Sequence, residues 1–253
     1  MLVIERHRWV LDHLNARGSV RTSEVAEALG VTEETVRRDF EKLESEGLLT
    51  RSHGGAVRME PHRRDSPLQE RAGENIAAKQ AIARAALARI QPGHTIYFDA
   101  STTVLQLALL LPDQSLTVVT NGLQIALALA DKSDIQCILL GGSLRGSSLA
   151  CTGWAAEKAL EIYHVDEAFL SCRGIDAERG LSEPSESQAR LKHEVIASSG
   201  QVVLLADQSK AGVASSYFYA RPSEIDVWIT DAPPPPHLAD ALARQGVRLE
   251  LAS

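Results

Sequence analysis

From residue 75 onward the chain repeats one theme. A short apolar run rich in β-branched residues follows a turn signal, and Ala/Leu-rich stretches of helical length separate most of the runs. Thr95 to Phe98 comes after Pro92-Gly93, and Leu116 to Val119 after Pro112-Asp113. Ile135 to Leu140, Ala168 to Leu170, Val202 to Leu205, Val227 to Thr230 and Val247 to Leu251 continue the series. Lys79 to Ile90 and Gly122 to Ala130 are two of the intervening helical stretches. Strand–helix alternation of this kind implies βαβ units and a Rossmann-like, mostly parallel α/β sheet covered by helices. Ligands in such sheets sit beyond the carboxyl ends of the strands, so the loops that follow strands are where function is sought.

Residues 1–58 read differently, as short helices with a turn-rich end. Between the two parts, MEPHRRDSPLQERAG carries two prolines, many charges and few apolar residues, which predicts a linker over 59–74 and a second domain over 75–253. Pro233 to Pro236 predicts a stiff turn before a late helix. A length of 253 residues fits one or two domains, and 44% hydrophobic with 23% charged residues excludes long disorder. No apolar run approaches the ~18–20 residues of a membrane span, and the N-terminal MLVIERHRWV carries charges that a signal peptide lacks. Cys137, Cys151 and Cys172 form no C-x-x-C pair and no even set, which points to a reducing cytoplasm. The eight histidines show no metal-ligand spacing, so neither metal nor cofactor is expected.

Net charge is -7, yet residues 1–64 hold 11 basic and 11 acidic side chains and are neutral overall. A polyanion can be attracted only by a local basic face. The N-terminal pattern supplies one. Glu5 to Ala16 places Trp9, Val10, Leu11 and Leu14 on one helical face, and Gly18 stops it. After Ser19-Val20-Arg21, Thr22 or Ser23 is placed to cap a helix ending at Gly30. Thr32 is placed to cap a third helix, with Glu33 and Glu34 in its positive first turn. Val36, Phe40 and Leu43 face inward, leaving Thr35, Arg37, Arg38 and Lys42 outside. Leu48 to Arg51 and Ala56 to Arg58 around Gly54-Gly55 predict a hairpin wing. This is a winged helix-turn-helix layout, with Arg37 and Arg38 entering a major groove. Ser23, Thr32, Thr35, Lys42, Arg51, His53 and Arg58 are further candidates for DNA contact. Asp39 is expected to orient Arg38 or Arg8. The alternative is a helical interaction module with a solvated charged face.

In the second part, Asp99-Ala100-Ser101-Thr102-Thr103 follows a strand and opens a helix. Hydroxyls and amides at a helix N-terminus make an anion site, or simply cap the helix. Thr120-Asn121-Gly122 and Gly141-Gly142-Ser143-Leu144-Arg145 follow the next two strands, and Asp207-Gln208-Ser209-Lys210 follows a later one. Asp99, Ser101, Thr102, Thr103, Asn121, Gly141, Gly142, Arg145, Lys192, Asp207 and Lys210 are therefore candidate effector ligands. Their alternatives are glycine turns, surface ion pairs and a solvated helix charge.

The stretch TEETVRRDFEKLESEGLLTRSHGGAV resembles the signature of DeoR/GlpR-type transcriptional regulators, through Thr35, Arg37, Arg38, Asp39, His53, Gly54, Gly55 and Ala56. Phe40 stands where that family usually has Leu. The second part resembles the family's sensor domain through Lys79 with Ile82-Ala83, Asp99 to Thr103, Thr120-Asn121, Leu140 to Gly142, Lys192, Leu205 to Asp207 and Ser209-Lys210-Ala211-Gly212. Ala211 departs from the family's usual Phe. The resemblance implies a fold related to sugar-phosphate isomerases and a phosphorylated sugar or polyol as effector. It implies a non-enzymatic cytoplasmic repressor of a carbohydrate catabolic operon, binding operator DNA as a dimer or tetramer. Two other classes are weighed beside it: a sugar-phosphate isomerase with a DNA-binding appendage, and a redox-sensing regulator using one of the three cysteines.

Overall fold

A computed structural model describes residues 2–45, 48–57, the backbone of Arg58, and 66–252. The chain divides into two compact units, Met1–Arg64 and Asp65–Ser253, each described by itself.

The first unit runs α1 (Val3–Arg17), β1 (Ser19–Arg21), α2 (Thr22–Leu29), α3 (Glu33–Ser45), β2 (Leu49–Ser52) and β3 (Gly55–Arg58). Gly18 and Gly30 end α1 and α2 in the left-handed conformation, where other residues are disfavoured. Val10, Leu14, Val25, Val36, Phe40 and Leu43 close one small core with Val20, Leu49 and Ala56. The hairpin forms as expected but is a three-stranded sheet, because β1 pairs with β3. Gly55 is required there, since a Cβ would stand 2.2 Å from the Val20 carbonyl oxygen.

That pairing explains one departure from expectation. Neither Thr22 nor Ser23 caps α2, whose N-cap is Arg21 without a side-chain bond. The Thr22 amide is instead held by the Gly54 carbonyl at 2.9 Å, because β1 feeds directly into α2 while still paired to the wing. A second departure concerns Asp39, which touches neither Arg38 nor Arg8 in an ion pair. It is buried and accepts Arg6 Nε at 2.8 Å and Arg6 Nη2 at 2.9 Å, with His7 Nε2 at 3.1 Å. Asp39 lies on the inward side of α3, so its carboxylate joins α1 to α3, and its hydrogen bonds raise the Arg6 pKa.

The second unit begins earlier than the sequence suggests. Residues 59–65 of the expected linker lie outside the described residues, but Leu68–Gly73 forms α4. Leu68 is buried and its amide donates to the Ser147 carbonyl at 2.7 Å, so the apolar contact draws this charged segment onto the unit. Then follow α5 (Ile76–Leu87), β4 (Thr95–Phe98), α6 (Thr102–Leu110), β5 (Leu116–Thr120), α7 (Leu123–Leu129), β6 (Ile135–Leu139), β7 (Ser143–Arg145), β8 (Ala150–Thr152) and α8 (Trp154–Leu160). The remainder is β9 (Val165–Leu170), β10 (Gly174–Asp176), β11 (Gly180–Glu183), α9 (Glu186–Ala197), β12 (Ser199–Leu205), β13 (Tyr217–Ala220), β14 (Val227–Thr230), α10 (Pro236–Arg244) and β15 (Arg248–Leu251).

Seven strands form one all-parallel sheet in the order β15-β14-β12-β9-β4-β5-β6. Alternate residues feed two cores: Ile96, Phe98, Phe169, Val203 and Leu205 pack with α5, α6 and α7, while Tyr97, Ala168, Leu170, Val202 and Leu204 pack with α8, α9 and α10. Both faces are thus covered, as a parallel sheet requires. The chain starts at β4, moves outward through β5 and β6, then returns to β9 on the other side of β4. The switch point therefore lies between β4 and β9, where a crevice opens beyond the strand ends. Among the described residues, no helix is long and apolar enough to cross a membrane.

Asp39→Ala leaves the Arg6 guanidinium without its carboxylate. It is expected to destabilise the first unit by about 2–3 kcal/mol, read as faster native-state hydrogen exchange of α1 and α3 with the second unit unaffected. Unchanged exchange in α1 would contradict this role.

Candidate functional site

The outer side of α3 carries the basic face. Thr32 Oγ1 accepts the Thr35 amide at 3.2 Å and lies 2.9 Å from Thr35 Oγ1, so the expected cap forms. The Arg37 and Arg38 side chains are 58% and 76% exposed. Arg37 Nη2 pairs with Glu33 Oε2 at 2.8 Å, and Arg38 Nε lies 3.4 Å from Glu34 Oε1. Exposed pairs one helical turn apart are weak and salt-screened, so a phosphate can displace them while they pre-orient the guanidinium groups. Lys42, Ser23 and His53 are exposed as well. Arg51 has a different role from the expected phosphate contact: its Nε meets Glu44 at 2.7 Å and its Nη1 meets Glu41 at 2.8 Å. Its amide also donates to Glu44 Oε1 at 2.9 Å, so Arg51 fixes β2 against α3. The side chain of Arg58 lies outside the described residues.

In the second unit the crevice is built from the loops after β4 and β9. A narrow cleft is lined by Ser101, Thr102 and Thr103 at the start of α6, by Ser171, Cys172 and Arg173 after β9, and by Arg71, Glu74, Lys79, Glu183 and Lys210. Ser101 Oγ caps α6 by accepting the Val104 amide at 3.2 Å. The positive end of α6 therefore faces a cleft that also holds four cationic side chains, a field that favours an anion.

Behind the lining lies a buried ion network. Lys192 Nζ meets Asp99 Oδ2 at 2.8 Å and Glu183 Oε1 at 2.5 Å, and donates to the Ser171 carbonyl at 2.5 Å. Asp99 also accepts the amides of Ser101 at 3.0 Å and Ser171 at 2.8 Å. Burial pushes the Lys192 ammonium down, but Asp99 and Glu183 together hold its pKa above the ordinary value. Lys192 and Asp99 thus shape the two loops instead of facing the opening. Asp207 is similarly engaged: its Oδ1 accepts the Ser209 amide and hydroxyl and Asn75 Nδ2.

Four of the expected ligands lie elsewhere. Asn121 is buried, with Oδ1 accepting the Tyr97 hydroxyl at 2.9 Å and the Ala100 amide at 3.1 Å, and Nδ2 donating to the Cys151 carbonyl at 3.1 Å. Its polar groups brace the loop from within. Gly142 is a packing glycine, since a Cβ would stand 2.6 Å from the Thr152 carbonyl oxygen, and Gly141 beside it is exposed. Arg145 lines a separate open groove of about 590 Å³ with Trp154, Ser187, Arg190 and Tyr217. Conversely, Arg71, Lys79 and Arg173 line the cleft without having been selected as ligands. Lys79 carried a signal, being a charge one turn before the apolar Ile82-Ala83 on the same face of α5. Arg173 carried one too, three residues beyond β9, whereas Arg71 carried none that local pattern reveals. The cysteines give no support to redox sensing: burial pushes the Cys172, Cys137 and Cys151 thiols up, away from the reactive thiolate.

Comparison with known proteins agrees with this division. Residues 6–62 match the family described as the DeoR-like helix-turn-helix domain, and residues 74–232 match the DeoR C terminal sensor domain. An uncharacterised helix-turn-helix transcriptional regulator of Bacillus subtilis, YulB, is 42% identical, covering 98% of this chain and 96% of its own. The transcriptional repressor GlcR of the same species is 36% identical over 97% and 95%. The glycerol-3-phosphate regulon repressor of Escherichia coli K12 is 32% identical over 98% of each chain.

Lys79 gives the cleft a titration signature. Burial, and next the charge of Lys210, push its ammonium down from 10.5 to about 8. The folded chain then binds this proton less tightly than the unfolded chain. Its cost is fully present below pH 8, and stability rises as the pH climbs from about 8 toward 10.5. Lys79→Gln should remove that rise, measured as urea midpoints at pH 7, 8, 9 and 10. Parallel pH profiles for the two proteins would contradict the assignment.

Proposed function

The chain belongs to the DeoR family of helix-turn-helix transcriptional regulators, and we propose on that premise that it is a repressor released from operator DNA by a phosphorylated sugar or polyol. The effector's phosphate binds in the cleft beyond β4 and β9. The observation that carries this reading is the convergence of Lys79, Arg173 and Lys210 on the N-terminus of α6 at the sheet's switch point. The charge of Lys210 is close enough to disfavour the Lys79 ammonium, and a dianion between them replaces that repulsion with attraction. Ser101, Thr102 and Thr103 supply hydroxyls to the same ligand. The expected ligands Asp99, Lys192 and Asp207 act one layer back by holding these groups in place.

Binding is favoured over turnover by the carboxylates. Asp99 and Glu183 are paired to Lys192, and Asp207 is engaged by Asn75 and Ser209. General acid–base catalysis needs a carboxylate available to a substrate proton; these three are committed to structure, and Glu74 of the lining is displaced when a ligand enters. Operator contact comes from Arg37, Arg38 and Lys42, with Thr32, Thr35, Ser23 and His53 beside them. One such module reads few base pairs, so the protein acts as a dimer or tetramer. The exposed Leu109 and Leu127 on the α6–α7 face of the sensor unit supply apolar surface for that assembly. Three free cysteines suit a cytoplasmic location.

With a DNA fragment selected by the protein from a random pool, Arg37→Ala and Arg38→Ala are each expected to weaken binding at least tenfold while leaving the sensor unit folded. Lys210→Gln is expected to keep DNA affinity and lose its response to a panel of sugar phosphates, both read by fluorescence anisotropy. Unchanged affinity in both arginine variants, or a full response in Lys210→Gln, would overturn the assignment.

A further inference from the structure

The first described residues of the second unit, Ser66–Gly73, lie beside the cleft and put Arg71 in its lining. Ser66 and Leu68 are buried, and α4 covers only six residues, Leu68–Gly73. A helix that short does not hold itself in water, where about 12–15 residues are marginal. Its order therefore depends on contacts: two tethers from cations outside the segment, Lys79 and Arg173, and one internal bond from Arg71. Lys79 Nζ donates to the Arg71 carbonyl, Arg71 Nε donates to the Ser66 carbonyl at 3.0 Å, and Arg173 Nη2 donates to the Ser66 hydroxyl. The remaining fastenings are the burial of Leu68 and its amide bond to Ser147. At the far end the segment meets α5 through Asn75, a non-glycine residue at φ 50°. Asn75 is held there by Asp207 at 3.1 Å and Ser209 at 3.3 Å. That conformation is uncommon outside glycine and marks a joint.

Space makes the second observation. With the segment seated, the cleft offers about 30 Å³, room for one or two waters and far below the several hundred Å³ of small-molecule sites. A sugar phosphate cannot enter without displacing Arg71 and Glu74, the lining residues the segment and its joint contribute.

We propose that Ser66–Gly73 is a releasable strap, held down by the same cations that take the effector's phosphate, so that effector and strap compete for the cleft. This rests on the functional reading above and adds how occupancy is reported. When the anion takes Lys79 and Arg173, the strap loses both of those tethers; the burial of Leu68 and its bond to Ser147 no longer suffice to hold it, and it swings about Asn75. The first residue anchored to the sensor unit then moves from Ser66 to Asn75, which lengthens the connection toward the DNA-binding unit by up to about 30 Å of chain. A longer connection lowers the effective concentration of one DNA-binding unit beside another in an oligomer. That weakens operator binding without any contact between effector and DNA.

The test uses the full-length protein with inorganic phosphate as the probe, pairing calorimetric titration with hydrogen exchange. Phosphate is expected to bind and to speed exchange of the Leu68–Gly73 amides at least fivefold, leaving β4 and β9 unchanged. Ser66→Ala, which removes the hydroxyl that engages Arg173 but no lining residue, is expected to speed that exchange without phosphate and to tighten phosphate binding about threefold. Phosphate binding with unchanged or slowed exchange, or weaker binding in Ser66→Ala, overturns the strap and leaves the effector site standing. No phosphate binding at all overturns the effector site and the strap with it.

Discussion

The sensor unit is organised around one buried ammonium. Lys192 sits among Asp99, Glu183 and the Ser171 carbonyl, with less than a tenth of its surface exposed. Those partners come from the loop after β4, from β11, and from the loop after β9. Three segments distant in sequence are thus fixed to α9 at the sheet's switch point. Charges taken out of water this far are tolerated only with full pairing and hydrogen bonding, and breaking such a pair costs about 3–5 kcal/mol. Asp99 meets the requirement with two further backbone amides. The geometry of the cleft follows: Ser101 and Ser171 are placed by the same carboxylate, and the cationic lining stands around a floor fixed by buried ion pairs.

The two functional surfaces use charge in opposite ways. On α3 the arginines are exposed and only loosely paired to Glu33 and Glu34, so they stay available to a large, highly charged partner despite the unit's zero net charge. In the cleft the cations are partly withdrawn from water, and burial makes the Lys79 ammonium easier to deprotonate, lowering its pKa to about 8. Withdrawn charges discriminate strongly for a small anion because few counter-ions compete with it there. Asp39 shows that the same helix can serve both purposes, with a sealed ion pair to Arg6 facing inward and open arginines facing outward.

Much of this was legible from sequence. The five inner strands of the parallel sheet announce themselves because both of their faces are buried, so every residue in runs such as Ile96 to Phe98 is apolar. Gly18, Gly30, Thr32 and Gly54-Gly55 fix the helix-turn-helix and its wing through local backbone chemistry. The antiparallel pieces of the second unit were not legible: Ser143–Arg145 is exposed throughout and carries no apolar alternation, and Gly180–Glu183 pairs with Tyr217–Ala220 from far along the chain. The site divided in the same way. Strand-end loops pointed to Ser101, Thr102, Thr103 and Lys210; Arg173 sits in such a loop too, three residues beyond β9, whereas Arg71 reaches the cleft through tertiary packing alone. Asn121, Gly142 and Arg145 satisfied the same loop pattern, yet their side chains or backbones serve the interior or another groove. Loop position after a strand tells which end of the sheet a residue occupies, not which way it faces.

The account stands on the cleft between β4 and β9 being where a phosphorylated ligand is held. A crystal structure of the full chain grown with a sugar phosphate tests this directly. The account predicts phosphate density among Ser101, Thr102, Thr103, Lys79 and Lys210, with Lys192 still bound to Asp99. Phosphate density confined to the open groove beside Arg145, Trp154 and Arg190 would contradict it.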